Sequence, residues 1–269
     1  MLAGTPREPA FDATVLTGRD RAGVWTSIVL LALAAVAWAR VLIVPMAADD
    51  MAGMSMTMTP TVVGGLAYVV AWTIMMAAMM LPSALPMIGL YAATQRSASW
   101  GKRVVAVALF ASIYLGLWAL TGVPIYLASV ALGAMSQRAL AYGVAGVLVV
   151  AGLFQISPLK QMCLRHCRRP LGFLLGHWRP GWSGAAAMGW AHALYCLGCC
   201  WALMVVLVMA GAMGLPWVVL IAVVVAAEKL VPRGEWVARL TGVALMLLGI
   251  AVIVRPELAI ALRAGACPM

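Results

Sequence analysis

The chain has 269 residues, of which 65% are hydrophobic and 10% charged, and its mean hydropathy is +1.03. Soluble domains are about 45 to 50% apolar and about 25% charged, so this composition excludes a water-soluble fold. The formal net charge of +10 does not indicate nucleic acid as a partner, because the basic residues lie mostly in short segments between apolar runs, where they act as orientation signals.

Seven apolar segments are long enough to cross a bilayer, for which a helix needs roughly 20 residues. None alternates apolar and polar residues as a barrel strand does, so the prediction is an all-α fold, a polytopic transmembrane helix bundle of about seven spans. The predicted spans are Val24 to Val44, Val62 to Leu90, Val104 to Ser129, Leu140 to Ile156, Gly184 to Gly211, Leu215 to Leu230 and Trp236 to Val254.

Lysine and arginine are concentrated on one side of the predicted spans. That side carries Arg7, Arg19, Arg21, Arg96, Lys102, Arg103, Lys160, Arg165, Arg168, Arg169, Arg179, Lys229 and Arg233, and the other side only Arg138, Arg255 and Arg263. The positive-inside rule therefore predicts a multi-pass protein of the bacterial inner membrane with a cytoplasmic amino terminus and an external carboxyl terminus.

The predicted domain organisation follows from these spans. A cytoplasmic tail (1–23) precedes one integral membrane domain (24–254), and an external tail (255–269) follows it. Within the membrane domain we expect a Met-rich external loop (45–61) and a cytoplasmic loop (157–183) rich in Cys, His and Arg.

Methionine is concentrated near the amino-terminal end, with 10 of the 19 residues between Met46 and Met87. Thioethers are soft neutral donors that select Cu(I), or Ag(I), over hard ions. The external loop carries Met51, Met54, Met56 and Met58 and is predicted to gather such an ion. The alternative is that these residues are pliable apolar filler.

The second span continues this pattern with two pairs of methionines spaced four residues apart, so that each pair lies on one helix face. The pairs are Met75 with Met79 and Met76 with Met80. Pro82 and Pro86 follow, and each removes a backbone donor, so we expect a kinked or unwound inner end with free carbonyl groups. The segment is predicted to belong to a metal path, and core packing is the alternative.

The cytoplasmic loop contains Cys163, His166 and Cys167 among several arginines. On a helix the two thiols would face the same way, and the arginines are expected to lower the pKa of both thiols. A closed zinc site needs four ligands, whereas Cu(I) binds with two or three soft ones. The alternative is a redox thiol pair.

The fifth span carries Cys196, Cys199 and Cys200 about twelve residues from its start, near the predicted midplane. Extension by fours gives a ridge of soft or imidazole side chains along one face, which we interpret as metal ligands. The ridge comprises Met188, His192, Cys196, Cys200 and Met204. Any one of these residues alone would be explained by packing.

Glu228 and Lys229 end the sixth span. An ionisable pair at this depth is a functional candidate. The preferred interpretation is structural, with Lys229 or Arg239 neutralising Glu228 near the interface.

Five stretches of the chain resemble a bacterial family of predicted metal-binding integral membrane proteins with a copper-chaperone-like description. They are WTIMMAAMMLPSALPMIGLY (72–91), FQISPLKQMCLRHCRRPLGFL (154–174), WRPGWSG (178–184), GWAHALYCLGCCWALM (189–204) and Glu228-Lys229. The resemblance implies metal binding and copper handling, without an established reaction.

The sequence thus predicts a soft-metal protein, most simply a Cu(I) carrier, chaperone or transporter that is not an enzyme. Expected partners are the lipid bilayer, the metal ion, and a periplasmic metal-delivery protein or a membrane partner. The chain has no phosphate-binding loop motif to energise pumping. Two alternatives remain: a membrane thiol-disulfide oxidoreductase, and a structural or assembly subunit of a membrane complex.

Overall fold

The computed structural model describes residues 21–43, 61–95, 98–211 and 214–264. This part of the chain contains ten helices and no strand, which confirms the predicted all-α class. The helices are α1 (Arg21–Ile43), α2 (Val62–Thr94), α3 (Trp100–Gly133), α4 (Gln137–Ile156), α5 (Pro158–Arg168), α6 (Pro170–His177), α7 (Gly181–Met209), α8 (Leu215–Leu230), α9 (Gly234–Val254) and α10 (Glu257–Ala264).

Five helices are long and apolar enough to cross a membrane: α2, α3, α4, α7 and α9. They correspond to five of the seven predicted spans. The first predicted span contains a shorter apolar stretch, Ile28–Val41, and the sixth corresponds to α8, which has 16 residues. The described residues therefore support several spanning helices without giving a count of seven.

Capping residues determine where several helices begin. The hydroxyl of Thr61 accepts a hydrogen bond from the backbone N–H of Gly64 at the start of α2, and Ser136 does the same for Ala139 at the start of α4. These side chains satisfy backbone donors that the first helical turn leaves without partners.

The predicted cytoplasmic loop is largely helical. Ser157 ends α4 and caps α5, and Pro158 occupies the first turn of α5, where its missing N–H costs nothing. Pro170 starts α6 in the same way. Both short helices pack against the long ones: α5 on α7 and α8, and α6 on α2.

Close backbone contact joins α4 to α9. A Cβ atom added to Gly152 would lie 2.6 Å from the carbonyl oxygen of Gly242, and one added to Gly242 would lie 2.8 Å from that of Gly152. Small residues of this kind allow apolar helices to approach closely in a bilayer, where dispersion contacts replace the hydrophobic effect as the main attraction.

The helix α2 runs unbroken through Pro82 and Pro86, so of the two expected outcomes, a kink or unwinding, the unwinding is wrong. Proline at position 82 leaves the carbonyl of Ala78 without its helical donor. The indole N–H of Trp38 on α1 donates to this carbonyl at 3.0 Å. A neighbouring helix thus satisfies the group that the proline releases, and the helix does not need to unwind there.

Replacement of Trp38 by Phe tests this account. It should lower the free energy of unfolding in detergent by about 1 kcal/mol, because the carbonyl of Ala78 loses its donor while the aromatic packing is largely kept. The matched control is Trp25→Phe on the same helix, where the side chain is exposed. Equal losses in the two variants, measured by thermal or denaturant unfolding, would contradict the role assigned to the indole N–H.

Candidate metal site

The predicted ridge on α7 is buried along its whole length. Its five members are each at most 3% exposed: Met188, His192, Cys196, Cys200 and Met204. The helix can bury this face because it packs against α3, α4, α5 and α8. Cys199 is buried as well, so all three thiols of α7 lie inside the bundle.

Two of these thiols form hydrogen bonds with the preceding turn of their own helix. The Sγ atoms of Cys199 and Cys200 each donate to the backbone carbonyl of Cys196, and each donor lies 3.0 Å from the oxygen. Donation to a carbonyl three or four residues back is a common way for a small polar side chain to be satisfied inside a helix. Both thiols therefore converge on one point of α7.

The third thiol is held from two other helices. Cys196 Sγ lies 3.1 Å from the hydroxyl of Tyr114 on α3 and accepts from the amine of Lys229 on α8 at 3.0 Å. The same amine lies 3.3 Å from Ser83 Oγ and 3.9 Å from Met80 Sδ on α2. Side chains from four helices thus meet around Cys196.

A fifth helix, α5, approaches the same place from outside the bundle. Cys167 Sγ lies 3.9 Å from Cys199 Sγ. Cys163 Sγ lies against Gly198 on α7, where an added Cβ atom would be only 2.9 Å from the sulfur. The absence of a side chain at position 198 therefore lets α5 pack close to α7. We call the five cysteines of α5 and α7 the thiol cluster: Cys163, Cys167, Cys196, Cys199 and Cys200.

Buried polar contacts fix α5 in this position. Lys160, near its first turn, forms an ion pair of 2.7 Å with Glu228 on α8, and both side chains are almost completely buried. Gln155 contacts both groups and donates to the carboxylate at 2.7 Å. At the other end of α5, Arg168 donates to the carbonyl of Val231 at 2.8 Å and to that of Pro232.

The ion pair corrects one prediction from the sequence. Glu228 is neutralised by Lys160, and neither Lys229 nor Arg239 is its salt-bridge partner in the described residues. Lys229 instead points to the thiol cluster. The sequence identified Glu228 and Lys229 as ionisable residues within a predicted span. It did not indicate that Glu228 pairs with Lys160 while Lys229 contacts Cys196.

A second correction concerns the thiols of α5. Burial raises the pKa of the Cys163 thiol, and the nearby Cys199 adds to this effect. Hydrogen bonds to Cys196 and Cys199, followed by burial, raise the pKa of Cys167 well above its usual range. The causes of these shifts include no arginine; Arg165 lies 3.9 Å from Glu235, and Arg168 donates to the carbonyls after α8. The expected lowering by the arginines is wrong.

The thiol cluster can be placed along the neighbouring helices. Cys196 contacts Lys229 in the last turn of α8, whereas Met209 at the other end of α7 lies beside Gly143 near the start of α4. The thiols are therefore level with the carboxyl-terminal ends of α4 and α8 rather than midway along these helices. The first half of α7 continues past this level, and the rings of His192 and Tyr195 lie near the ring of Phe173 on α6.

The four methionines of α2 face the interior. Each is at most 2% exposed: Met75, Met76, Met79 and Met80. They belong to the same apolar core as the ridge of α7, and Met80 connects to the thiol cluster through Lys229. The external methionines Met51, Met54, Met56 and Met58 lie outside the described residues.

The two predicted histidine ligands are engaged with aromatic rings. The ring of His192 lies 5.6 Å from that of Tyr114 and 5.6 Å from that of Phe173, and its Nδ1 atom has no hydrogen-bond partner within the described part of the chain. His166 stacks on Tyr195 at 4.1 Å, and its Nδ1 lies 2.9 Å from the carbonyl of Met162.

Among the described residues, no group of three or more His, Cys, Asp or Glu side chains is arranged so as to hold a metal ion. The three thiols of α7 are not directed at a common point where an ion could sit. Cys199 and Cys200 donate to the carbonyl of Cys196, and Cys196 Sγ contacts Lys229 and Tyr114. Sequence reasoning missed Tyr114 and Ser83, whose types are common in spanning helices and carry no spacing signal.

The raised pKa of Cys163 predicts its reactivity. Because the neutral thiol is favoured, less thiolate is present at pH 8 than in an unfolded chain, and alkylation by iodoacetamide should be slower. The rate should reach half its maximum at a higher pH in the folded than in the denatured protein. Peptide-resolved mass spectrometry measures both rates, and faster alkylation of the folded protein would contradict the assignment.

The comparison with known families bears on the same region. The PpoB2 family model, described as a copper chaperone, matches residues 69–252, which is more than half of the chain. The matched segment includes the methionines of α2, the whole thiol cluster and Lys229. No curated protein and no solved structure matches the chain. The chain belongs to the PpoB2 copper chaperone family.

Proposed function

We propose that the protein is an integral membrane carrier of the bacterial inner membrane that binds Cu(I) through the thiol cluster and passes it on as a chaperone or transporter. The copper family supports a copper-related role, and the composition of the cluster supports the oxidation state. Thiolate and thioether sulfur are soft donors and suit Cu(I) better than they suit hard cations. The metal is cargo, and the proposal includes no enzymatic reaction.

One observation supports this function most directly, the separation of 3.9 Å between Cys167 Sγ and Cys199 Sγ. A metal–thiolate bond is about 2.3 Å long, so two sulfur atoms that share one metal lie roughly 4 Å apart. The two thiols come from different helices and already have nearly this separation. Cu(I) accepts two or three soft ligands, so Cys200 or Cys196 would complete the site after rotation of its side chain.

The order of the candidate sulfur ligands, from the external loop through α2 to the thiol cluster, supports a carrier rather than a storage site. Methionines of α2 are buried in the core that adjoins the thiol cluster, and α5 brings Cys163 and Cys167 from outside the bundle to its edge. We propose that the external loop with Met51, Met54, Met56 and Met58 collects the ion, that the methionines of α2 conduct it, and that the thiols hold it for transfer.

The proposed topology has seven spans, with α1 and α8 added to the five longest helices. Many large apolar side chains on the helices are exposed, such as Leu240 and Leu247 on α9, and a bilayer would cover them. The positive-inside rule supports a cytoplasmic amino terminus and an external carboxyl terminus. A periplasmic metal-delivery protein or a membrane protein would then be the partner.

A thiol-disulfide oxidoreductase is the second candidate, and the same pair of sulfur atoms favours it. A disulfide between Cys167 and Cys199 would need a closer approach of two thiols that are 3.9 Å apart, and a partner disulfide or quinone that takes up the two electrons and two protons released. The buried methionines have no role in disulfide exchange, which favours the copper function. A subunit whose sulfur atoms serve only packing would need neither chemistry.

Replacement of both Cys199 and Cys200 by Ser separates these functions. Serine is close in volume and can donate to the same carbonyl of Cys196, so the variant should insert and purify normally. A serine oxygen is a hard donor, so bound copper should fall to less than about one tenth of the wild-type content. The measurement is copper per protein by elemental analysis after loading with Cu(I).

Cys267→Ser, at a position to which the sequence assigns no ligand role, is the matched control and should keep its copper. Wild-type copper content in the double variant would exclude the thiols of α7 as ligands. In that case the redox or structural function would replace the one proposed.

A further inference from the structure

Lys229 is a buried cation whose described partners include no carboxylate. Its side chain lies inside the bundle, and its amine contacts Cys196 Sγ, Ser83 Oγ and Met80 Sδ at 3.0, 3.3 and 3.9 Å. The carboxylate of the preceding residue, Glu228, is already engaged by Lys160 and Gln155. The lysine therefore places its charge among soft and neutral atoms.

Burial of the Lys229 amine costs free energy unless the sulfur atoms accept its hydrogen bonds. A lysine amine is a compact point charge with three donors and no acceptor, and burial of such a charge needs a close partner. Two of its three contacts are to sulfur, which is a weak hydrogen-bond acceptor when neutral. Cys196 and Met80 are also the residues from α7 and α2 that a soft metal ion between these helices would use.

We propose that Lys229 is a tethered cation that occupies the position beside Cys196 and Met80, so that Cys196 joins Cys167 and Cys199 as a ligand of Cu(I) only when the lysine withdraws. The inference rests on the proposed function and assigns a gating role to a residue outside the ligand set. When the ion enters, the S–H bond of Cys196 breaks and its proton is released to the solvent, a bond forms between Cu(I) and the resulting thiolate, and the hydrogen bond from Lys229 to that sulfur breaks. Copper remains Cu(I), and no electron is transferred.

The position of Lys229 in α8 makes the withdrawal feasible. It is the penultimate residue of the helix, and Leu230 and Val231 beyond it are exposed. Four methylene groups allow a lysine amine to extend toward the end of its helix, as lysines near membrane interfaces commonly do. A cation is then present at the sulfur atoms in both states of the carrier: the lysine in the free state and copper in the loaded state.

Lys229→Leu tests the proposal, because leucine carries neither a charge nor a donor atom for copper. The variant should bind Cu(I) at least about tenfold more tightly than the wild type, since the competing cation is gone. Affinity is measured in detergent under anaerobic reducing conditions, by competition with a chromogenic Cu(I) chelator. Lys229→Arg, which keeps a cation, should show no gain, and Lys102→Leu, at an exposed lysine on α3, should bind as the wild type does.

Unchanged or weaker Cu(I) affinity in a folded Lys229→Leu protein would overturn the gating role. If this variant does not fold, Lys229→Gln keeps a polar contact for Ser83 without the charge and should show the same gain. A failure of Lys229→Gln to bind more tightly would overturn the role as well. If neither the wild type nor any variant binds Cu(I), the proposed function itself is overturned. If all of them bind Cu(I) equally, only the gating role of Lys229 is overturned.

Discussion

The buried ion pair between Lys160 and Glu228 holds the short helix α5 against the bundle, and the geometry of the thiol cluster depends on it. Both charges are removed from water, and each such removal costs several kcal/mol unless the partner and further hydrogen bonds replace the solvent. Gln155 supplies those bonds by contacting both side chains. The three groups come from α4, α5 and α8, so the pair is made only when these elements are assembled together.

The position of α5 brings the two sets of cysteines into contact. Lys160 fixes the start of the helix and Arg168 fixes its end against the carbonyls that follow α8. Between these points Cys167 meets Cys199, and Cys163 lies in the space left by Gly198. Without α5, the thiols of α7 would be enclosed among the long helices. With α5, they adjoin the thiols of Cys163 and Cys167, an arrangement that supports the proposed transfer of Cu(I).

The sequence predicts the long helices and their buried faces well, because both depend on local pattern. The spacing by four predicted one shared face for Cys196 and Cys200 on α7, and both residues are buried. Contacts between residues distant in sequence could not be obtained in this way. The partner of Glu228 is 68 residues away, and the choice of Lys160 over the adjacent Lys229 follows from how α5 packs.

Two further predictions failed because each assumed an isolated element. The unwinding at Pro82 would follow if no donor reached Ala78, but Trp38 on α1 provides one. The lowered thiol pKa expected for Cys163 considered only the arginines near it in sequence, whereas packing of α5 against α7 partly buries the thiol and brings Cys199 close to it, and both effects raise the pKa. Composition identifies these residues, but only the tertiary arrangement sets their environment.

The central claim is that cysteine sulfur from α5 and α7 binds one Cu(I) ion. X-ray absorption at the copper edge of the purified, Cu(I)-loaded protein tests it most directly, because the spectrum reports the oxidation state, the type of ligand and the bond length together. The account predicts Cu(I) with two or three sulfur neighbours at about 2.3 Å. A first shell made only of nitrogen and oxygen, or a protein that retains no copper, would contradict it.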